Sequence, residues 1–83
     1  MADIKKGDRV RILVNTPLGE PVDGVVKVVQ DKVGKPIGVQ LDNFIAYGHE
    51  LDGATDEKVK TDSKTGISYG TGWWTLPENV EVL

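Results

Sequence analysis

The sequence predicts an all-β protein, a small and strongly bent antiparallel barrel of five short strands that is partly open. Ten glycines and four prolines divide the 83 residues into short runs rich in β-branched side chains. No window repeats apolar residues at i, i+3, i+4 and i+7 over three turns, so no substantial helix is expected. Because so short a chain builds one thin core, residues 1–83 are expected to form a single domain.

Three strands are predicted in the first half of the chain. The run 9–14 alternates apolar and basic residues, which places one face inward and a basic face outward. A turn-forming loop at 15–21 precedes the run 24–30, which is nearly all valine and is expected to be the central strand. A turn at 31–35 leads into a third strand at 36–41.

The second half contains a connection that is longer than a simple loop between strands in so small a domain. It spans about 42–71, and the sequence leaves open whether it is a long loop or holds an extra hairpin in which 58–61 pairs with 67–69. The chain then closes with a fourth strand at 72–76, a 3₁₀ turn at 77–79 and a fifth strand at 80–83.

Composition favours an ordinary globular protein, with 39% hydrophobic and 28% charged residues. No apolar run approaches the length of a membrane span, and the start has no apolar stretch resembling a signal peptide. The absence of cysteine excludes disulfides and thiolate metal sites. We therefore expect a cytoplasmic location.

The charge is distributed unevenly around its net value of -3. Residues 1–11 carry four basic and two acidic side chains, whereas 42–57 carry five acidic side chains and no lysine or arginine. A nucleic-acid binder normally concentrates positive charge on its working face. The acidic loop is therefore not expected to bind phosphate, while the amino-terminal strands remain open to that role.

The most distinctive motif pairs Gly48-His49-Glu50-Leu51-Asp52-Gly53 with the later Gly72-Trp73-Trp74. It places the single histidine, two acidic residues and both tryptophans at the two ends of one polar connection. Gly48 and Gly53 are expected to bracket a tight turn, with Asp52 forming an Asx-type turn. The specific function is expected to reside here.

The two ends of the chain, 6–10 and 73–82, resemble those of a Src-homology-3-like barrel, in which an aromatic strand passes through a proline and a 3₁₀ turn into the closing strand. The middle, 37–42 with 48–53, resembles the CAP-Gly variety of that barrel. Residues 36–83 are most similar to small phage and prophage proteins that combine a Gly-His-x-x-Asp-Gly loop with a Gly-Trp-Trp strand. The resemblance implies this fold and a phage-encoded protein.

The chain departs from the CAP-Gly pattern at the loop itself. His49 and Glu50 stand where that family has lysine and asparagine, which grip acidic carboxyl-terminal tails. A glutamate here would repel such a tail, so this binding activity is not carried over.

The two tryptophans must point to opposite faces of their strand. We place Trp74 in the core because it shares a face with Leu76, and Trp73 on the outer face with Thr75. Exposed there, Trp73 would either anchor a partner or hold down the long loop.

The leading hypothesis is a non-enzymatic protein-interaction module whose groove lies between the Gly48–Gly53 loop and Trp73. Glu50 and Asp52 would select a partner bearing lysine, arginine or free backbone N–H groups. Phe44, Tyr47 and Tyr69 would either wall this groove or cover the core. The predicted partner contacts are Tyr47, Gly48, His49, Glu50, Leu51, Asp52, Gly53, Tyr69 and Trp73.

Two alternatives remain. The first is a nucleic-acid-binding barrel whose affinity falls steeply with salt. Its contacts would be Lys5, Lys6, Arg9, Arg11 and Lys27, supplemented by Lys32 and Lys35. The second is a structural or assembly accessory protein that uses an exposed sheet edge.

Catalysis and metal binding are not expected. His49 with nearby carboxylates offers only an oxygen-rich metal site of unfamiliar spacing, and a turn role is favoured. Glu50 and Asp52 would need a walled cleft to separate their pKa values as an acid–base pair. The glycines 66, 70 and 72 lack the lysine and helix of a phosphate loop. No cofactor is expected.

Overall fold

The computed structural model describes residues 4–30 and 36–83, and it is an all-β structure. Within these two ranges, six strands form one antiparallel sheet in the order β4-β5-β3-β2-β1-β6. The same ranges hold two 3₁₀ turns, at Leu51–Gly53 and Pro77–Asn79. The strands are β1 (Arg9–Ile12), β2 (Val22–Val29), β3 (Ile37–Ala46), β4 (Lys60–Thr61), β5 (Ser68–Thr75) and β6 (Val80–Val82).

The all-β prediction is confirmed, but the expected count of five strands is wrong. The additional strand is β4, which pairs with the start of β5 through Lys60↔Tyr69 and Thr61↔Ser68. This pairing is the hairpin that the sequence left open as an alternative to a long loop. The 3₁₀ turn at Pro77–Asn79 is confirmed. The expected turn at 31–35 lies outside the described residues.

The third strand extends well beyond its predicted end. β3 continues to Ala46, although Asp42 and Asn43 are poor strand formers. It does so by bulging: Gln40 pairs with Gly72 and Ile45 with Gly70, so four residues of β3 stand against one of β5. This irregularity turns the second half of β3 away from the regular ladder.

One face of the sheet holds the hydrophobic core. Directly opposed pairs such as Val26↔Val39 and Ile12↔Val22 place their side chains on this face. The buried core consists of Val10, Ile12, Val26, Ile37, Val39, Leu41 and Ile45, with Ile4, Val22, Trp73 and Val80 packed partly buried against it.

The first and last strands are neighbours in the sheet. Arg11 pairs with Glu81, and the Leu83 N–H donates to the Arg9 carbonyl at 2.8 Å. No helix in the described ranges is both long and apolar enough to cross a bilayer.

Candidate functional site

The structure reverses the predicted orientation of the two tryptophans. Trp73 lies directly opposite Val39, which is fully buried, and packs against the core. Trp74 lies opposite Gly38 on the other face. The prediction was wrong because it assigned the inward-facing positions of the strand from Leu76, which lies beyond the end of β5. Thr75, the last residue of the strand, is the buried one and opposes the core residue Ile37.

Trp73 connects two loops from its half-buried position. Its indole N–H donates to the carbonyl of Asn15, 3.3 Å away, in the connection between β1 and β2. On its other side, the His49 ring lies with its centroid 6.3 Å from the Trp73 ring, tilted by 44°. Trp73 therefore fixes the β1–β2 connection at Asn15, a residue with a positive φ of 55°.

The Gly48–Gly53 loop crosses over β5 instead of projecting from it. A Cβ at Gly48 would collide with the carbonyl of Gly70, and a Cβ at Gly70 would lie 2.8 Å from the Gly48 carbonyl. Only glycine at both positions allows the two backbones to pass this closely. Beyond the crossing, His49 and Gly72 exchange two backbone hydrogen bonds of 2.8 Å.

Leu51 then plugs the face of the sheet opposite the core. Its side chain is 2% exposed and lies over Gly38 and Gly72, whose missing Cβ atoms make room for it. Trp74 reaches the same spot from β5. Leu51 and Gly48 belong to the predicted partner contacts, and both are buried within the protein.

A second attachment holds the segment a few residues later. The Asp56 N–H donates to the Gln40 side-chain oxygen at 2.7 Å, and the Gln40 amide donates back to the Asp56 carboxylate at 3.3 Å. Lys27 also lies 3.3 Å from that carboxylate. We call residues 47–57 the strap, because the buried Leu51 side chain and these hydrogen bonds attach the segment to the sheet.

The remaining predicted contacts are divided between exposed and partly covered positions. Tyr47 is 68% exposed, and His49, Glu50, Asp52 and Gly53 are exposed along the strap. Tyr69 is half-buried beside β4. Phe44 sits under the Lys60 ammonium, 5.0 Å from its ring centroid. The structure thus brings His49 to Trp73, but it spreads the predicted set over several surfaces.

A groove of about 610 Å³ opens elsewhere, between the β1–β2 connection and the bulged half of β3. We call it the β1–β2 groove. Leu13 and Leu18 flank it at 44% and 59% exposure, large values for leucine. None of the predicted protein-partner contacts lines it, whereas Arg11, a predicted nucleic-acid contact, does. Its lining residues are Arg11, Leu13, Leu18, Glu20, Pro21, Val22, Asp23, Leu41, Asp42, Asn43 and Ile45.

Two bidentate ion pairs border this groove. Arg11 donates to both oxygens of Asp23 at 2.7 and 3.2 Å, and Arg9 donates to both oxygens of Asp42 at 2.6 Å. Hydrogen bonding from Arg11 lowers the pKa of Asp23, and hydrogen bonding from Arg9 lowers that of Asp42. Both carboxylates are therefore ionised at neutral pH.

Ion pairs within the chain occupy three of the predicted nucleic-acid contacts. Arg9, Arg11 and Lys27 each bind a carboxylate, which offsets the positive stripe that phosphate would need. Lys5 and Lys6 are exposed. Lys32 and Lys35 lie outside the described residues.

Metal-ligating side chains do not gather in the described part of the chain. No group of three histidine, aspartate or glutamate residues there could hold an ion. His49 instead bridges Gly72 through its backbone, and its ring lies tilted beside that of Trp73.

Sequence reasoning missed the groove, although one signal pointed to it. Leu13 breaks the alternation of the first strand, and Leu18 is an apolar residue within a turn-forming loop. Neither has a place in a core predicted from alternation, so both were candidates for a surface contact.

Comparison with known proteins finds no matching family model, no matching curated protein and no matching solved structure.

Proposed function

We propose that the chain is a non-enzymatic protein-interaction module, built on a Src-homology-3-like barrel, that binds a segment of a partner in the β1–β2 groove. The strand order supports the barrel type, because β1 lies between β2 and β6 and a 3₁₀ turn at Pro77–Asn79 precedes the last strand. This proposal moves the contact surface away from the Gly48–Gly53 loop.

The observation that carries the proposal is the apolar flank of the groove. Leu13 and Leu18 lie exposed on one connection, beside the buried side chains of Leu41 and Ile45. Exposed leucines that continue a buried apolar floor mark surfaces where a partner removes apolar area from water. The Trp73 hydrogen bond to Asn15 holds this connection in place, which lowers the entropic cost of binding.

The chemistry of the groove favours binding over catalysis. An acid–base pair needs two groups whose pKa values are pushed apart. Here hydrogen bonds from arginine lower the pKa values of both Asp23 and Asp42, so neither carboxylate holds a proton at neutral pH. Their bidentate pairs instead give the groove a fixed polar rim.

A displayed peptide library, selected on the immobilised full chain, tests this function. Selected peptides are expected to shift the amide NMR signals of residues 13–23 and 41–45. Leu18→Ser should weaken their binding about tenfold, because it removes an exposed apolar contact without touching the core.

Tyr47→Ser is the matched control, since Tyr47 is at least as exposed as Leu18 but lies on the strap. It should leave the affinity of these peptides unchanged. If Tyr47→Ser abolishes binding and Leu18→Ser does not, the contact surface is the Gly48–Gly53 loop, as the sequence first indicated.

A further inference from the structure

The charges around the β1–β2 groove point to one kind of partner. Four charged side chains line it: three carboxylates, from Glu20, Asp23 and Asp42, and the guanidinium group of Arg11. Arg9 adds a second guanidinium group, paired with Asp42, so the local balance is negative by one charge. Such a field attracts cationic groups and repels anionic ones.

The two arginines at the groove already form ion pairs within the chain. Both guanidinium groups direct a pair of N–H donors at carboxylates of the chain itself, at 2.6 to 3.2 Å. Each guanidinium group has five N–H donors, of which its own carboxylate takes two. A carboxylate or phosphate brought by a partner meets only the remaining donors, and it lies beside the negative charge of Asp23 or Asp42, which repels it.

The carboxylates, in contrast, keep the capacity to accept further donors. Each ionised carboxylate offers about four lone-pair positions, of which a bidentate arginine uses two. Glu20 is exposed and takes part in no ion pair or side-chain hydrogen bond found among residues 4–30 and 36–83. A lysine or arginine from outside therefore meets acceptors that are ready to bind it.

The apolar part of the groove is aliphatic. Leu41, Ile45 and Val22 form its inner surface, and Leu13 and Leu18 its flank. No aromatic ring stands among its lining residues, so the floor offers dispersion contact and burial of aliphatic groups, with no stacking surface.

Building on the proposed function, we propose that the β1–β2 groove binds a partner segment in which an aliphatic side chain lies next to lysine or arginine. The aliphatic group packs on Leu41 and Ile45 between the two exposed leucines. The basic group reaches Glu20 and the outer lone pairs of Asp23.

Three synthetic peptides of about twelve residues test this preference. All carry the same pair of leucines, flanked by arginine in the first, by glutamine in the second and by glutamate in the third. Titrated into isotope-labelled protein, the arginine peptide should shift the amides of 18–23 and 41–45. It should bind about tenfold more tightly than the glutamine peptide, with the difference shrinking in high salt. The glutamate peptide should not bind.

Two variants locate the cation. Glu20→Gln should weaken the arginine peptide about threefold and leave the glutamine peptide unchanged, because the lost charge is exposed. Glu57→Gln, an equally exposed carboxylate on the strap, should change neither. Shifts by the arginine peptide at Glu50 and Asp52 in place of the groove would overturn the assignment.

The outcomes separate this inference from the function on which it rests. If the arginine and glutamine peptides bind the groove equally well, the basic preference is wrong and the interaction module stands. If no peptide shifts the groove and library selection also yields no groove binder, both are wrong.

Discussion

Leu51 is the residue whose role differs most from its prediction. It sits in the centre of the most conspicuous motif, yet it is 2% exposed and packs on the face opposite the core. Its φ of 52° and that of Asp52, 56°, belong to the left-handed region, which costs leucine about 1–2 kcal/mol. Burial of the leucine side chain offsets this strain. The main structural role of the motif is therefore to attach the strap to the sheet.

Leu51→Ala is therefore expected to lower the free energy of unfolding by about 2–4 kcal/mol, because it leaves a cavity over Gly38 and Gly72. Leu18→Ala serves as the control, since Leu18 is 59% exposed and its truncation should change stability by less than about 0.5 kcal/mol. Urea denaturation measures both. Equal stabilities for the two variants would mean that the strap contributes nothing to folding.

Single residues show why the site was harder to predict than the fold. Alternation along β1 correctly places Val10 and Ile12 inside. The same reasoning fails at Trp73, because a residue beyond the strand end supplied the phase. Strand phase can be determined from sequence only where the strand ends are known.

The crossing of the strap over β5 is the feature of secondary structure that no pattern predicted. The sequence identifies Gly48 as a turn residue and assigns Gly70 no role, but in the structure they are the contact point of two backbones. Close approach of distant segments depends on tertiary placement, so composition alone does not distinguish this role from a turn.

Gly70→Ala is expected to destabilise the protein by about 3 kcal/mol, because the added methyl meets backbone atoms that have no freedom to move aside. Gly19→Ala is the matched control. Gly19 has a positive φ of 75° but open space around it, so only the left-handed conformation, about 1 kcal/mol, is penalised. Thermal or urea unfolding compares the two, and a smaller loss at Gly70 than at Gly19 would contradict the crossing.

For the molecule as a whole, the two arginine–aspartate ion pairs contribute to the response to acid. The folded-state pKa values of Asp23 and Asp42 are lowered by their arginines, so below an unfolded-state value of about 3.9 the unfolded chain binds more protons than the folded one. The stability from these pairs is complete above that pH and is lost as pH falls through the folded pKa values. Urea midpoints between neutral pH and pH of about 2 should decline accordingly.

Asp42→Asn provides the comparison for this decline. The variant keeps the shape of the side chain but removes one of the two depressed carboxylates. Its urea midpoint should fall less steeply in acid than that of the original chain. Parallel curves for the two proteins would show that the Arg9–Asp42 pair does not contribute to stability.

At this scale the sequence predicted the all-β class and the closing arrangement of 3₁₀ turn and last strand, because both follow from local patterns around Pro77 and in the valine-rich runs. The groove, in contrast, does not follow from any local pattern in the sequence. It arises where the bulge in β3 meets the β1–β2 connection, two segments about 25 positions apart whose meeting depends on the register of β2 and β3.

The pairing of β1 with β6 has a consequence for the protein while it is being made. Residues 9–12 obtain one of their two hydrogen-bonding neighbours only when residues 80–82 arrive. A ribosome adding about 5–20 residues per second thus holds β1 with an unsatisfied edge for several seconds. Closure of the sheet waits until residues 80–82 have been made, and the nascent chain must stay unaggregated until then.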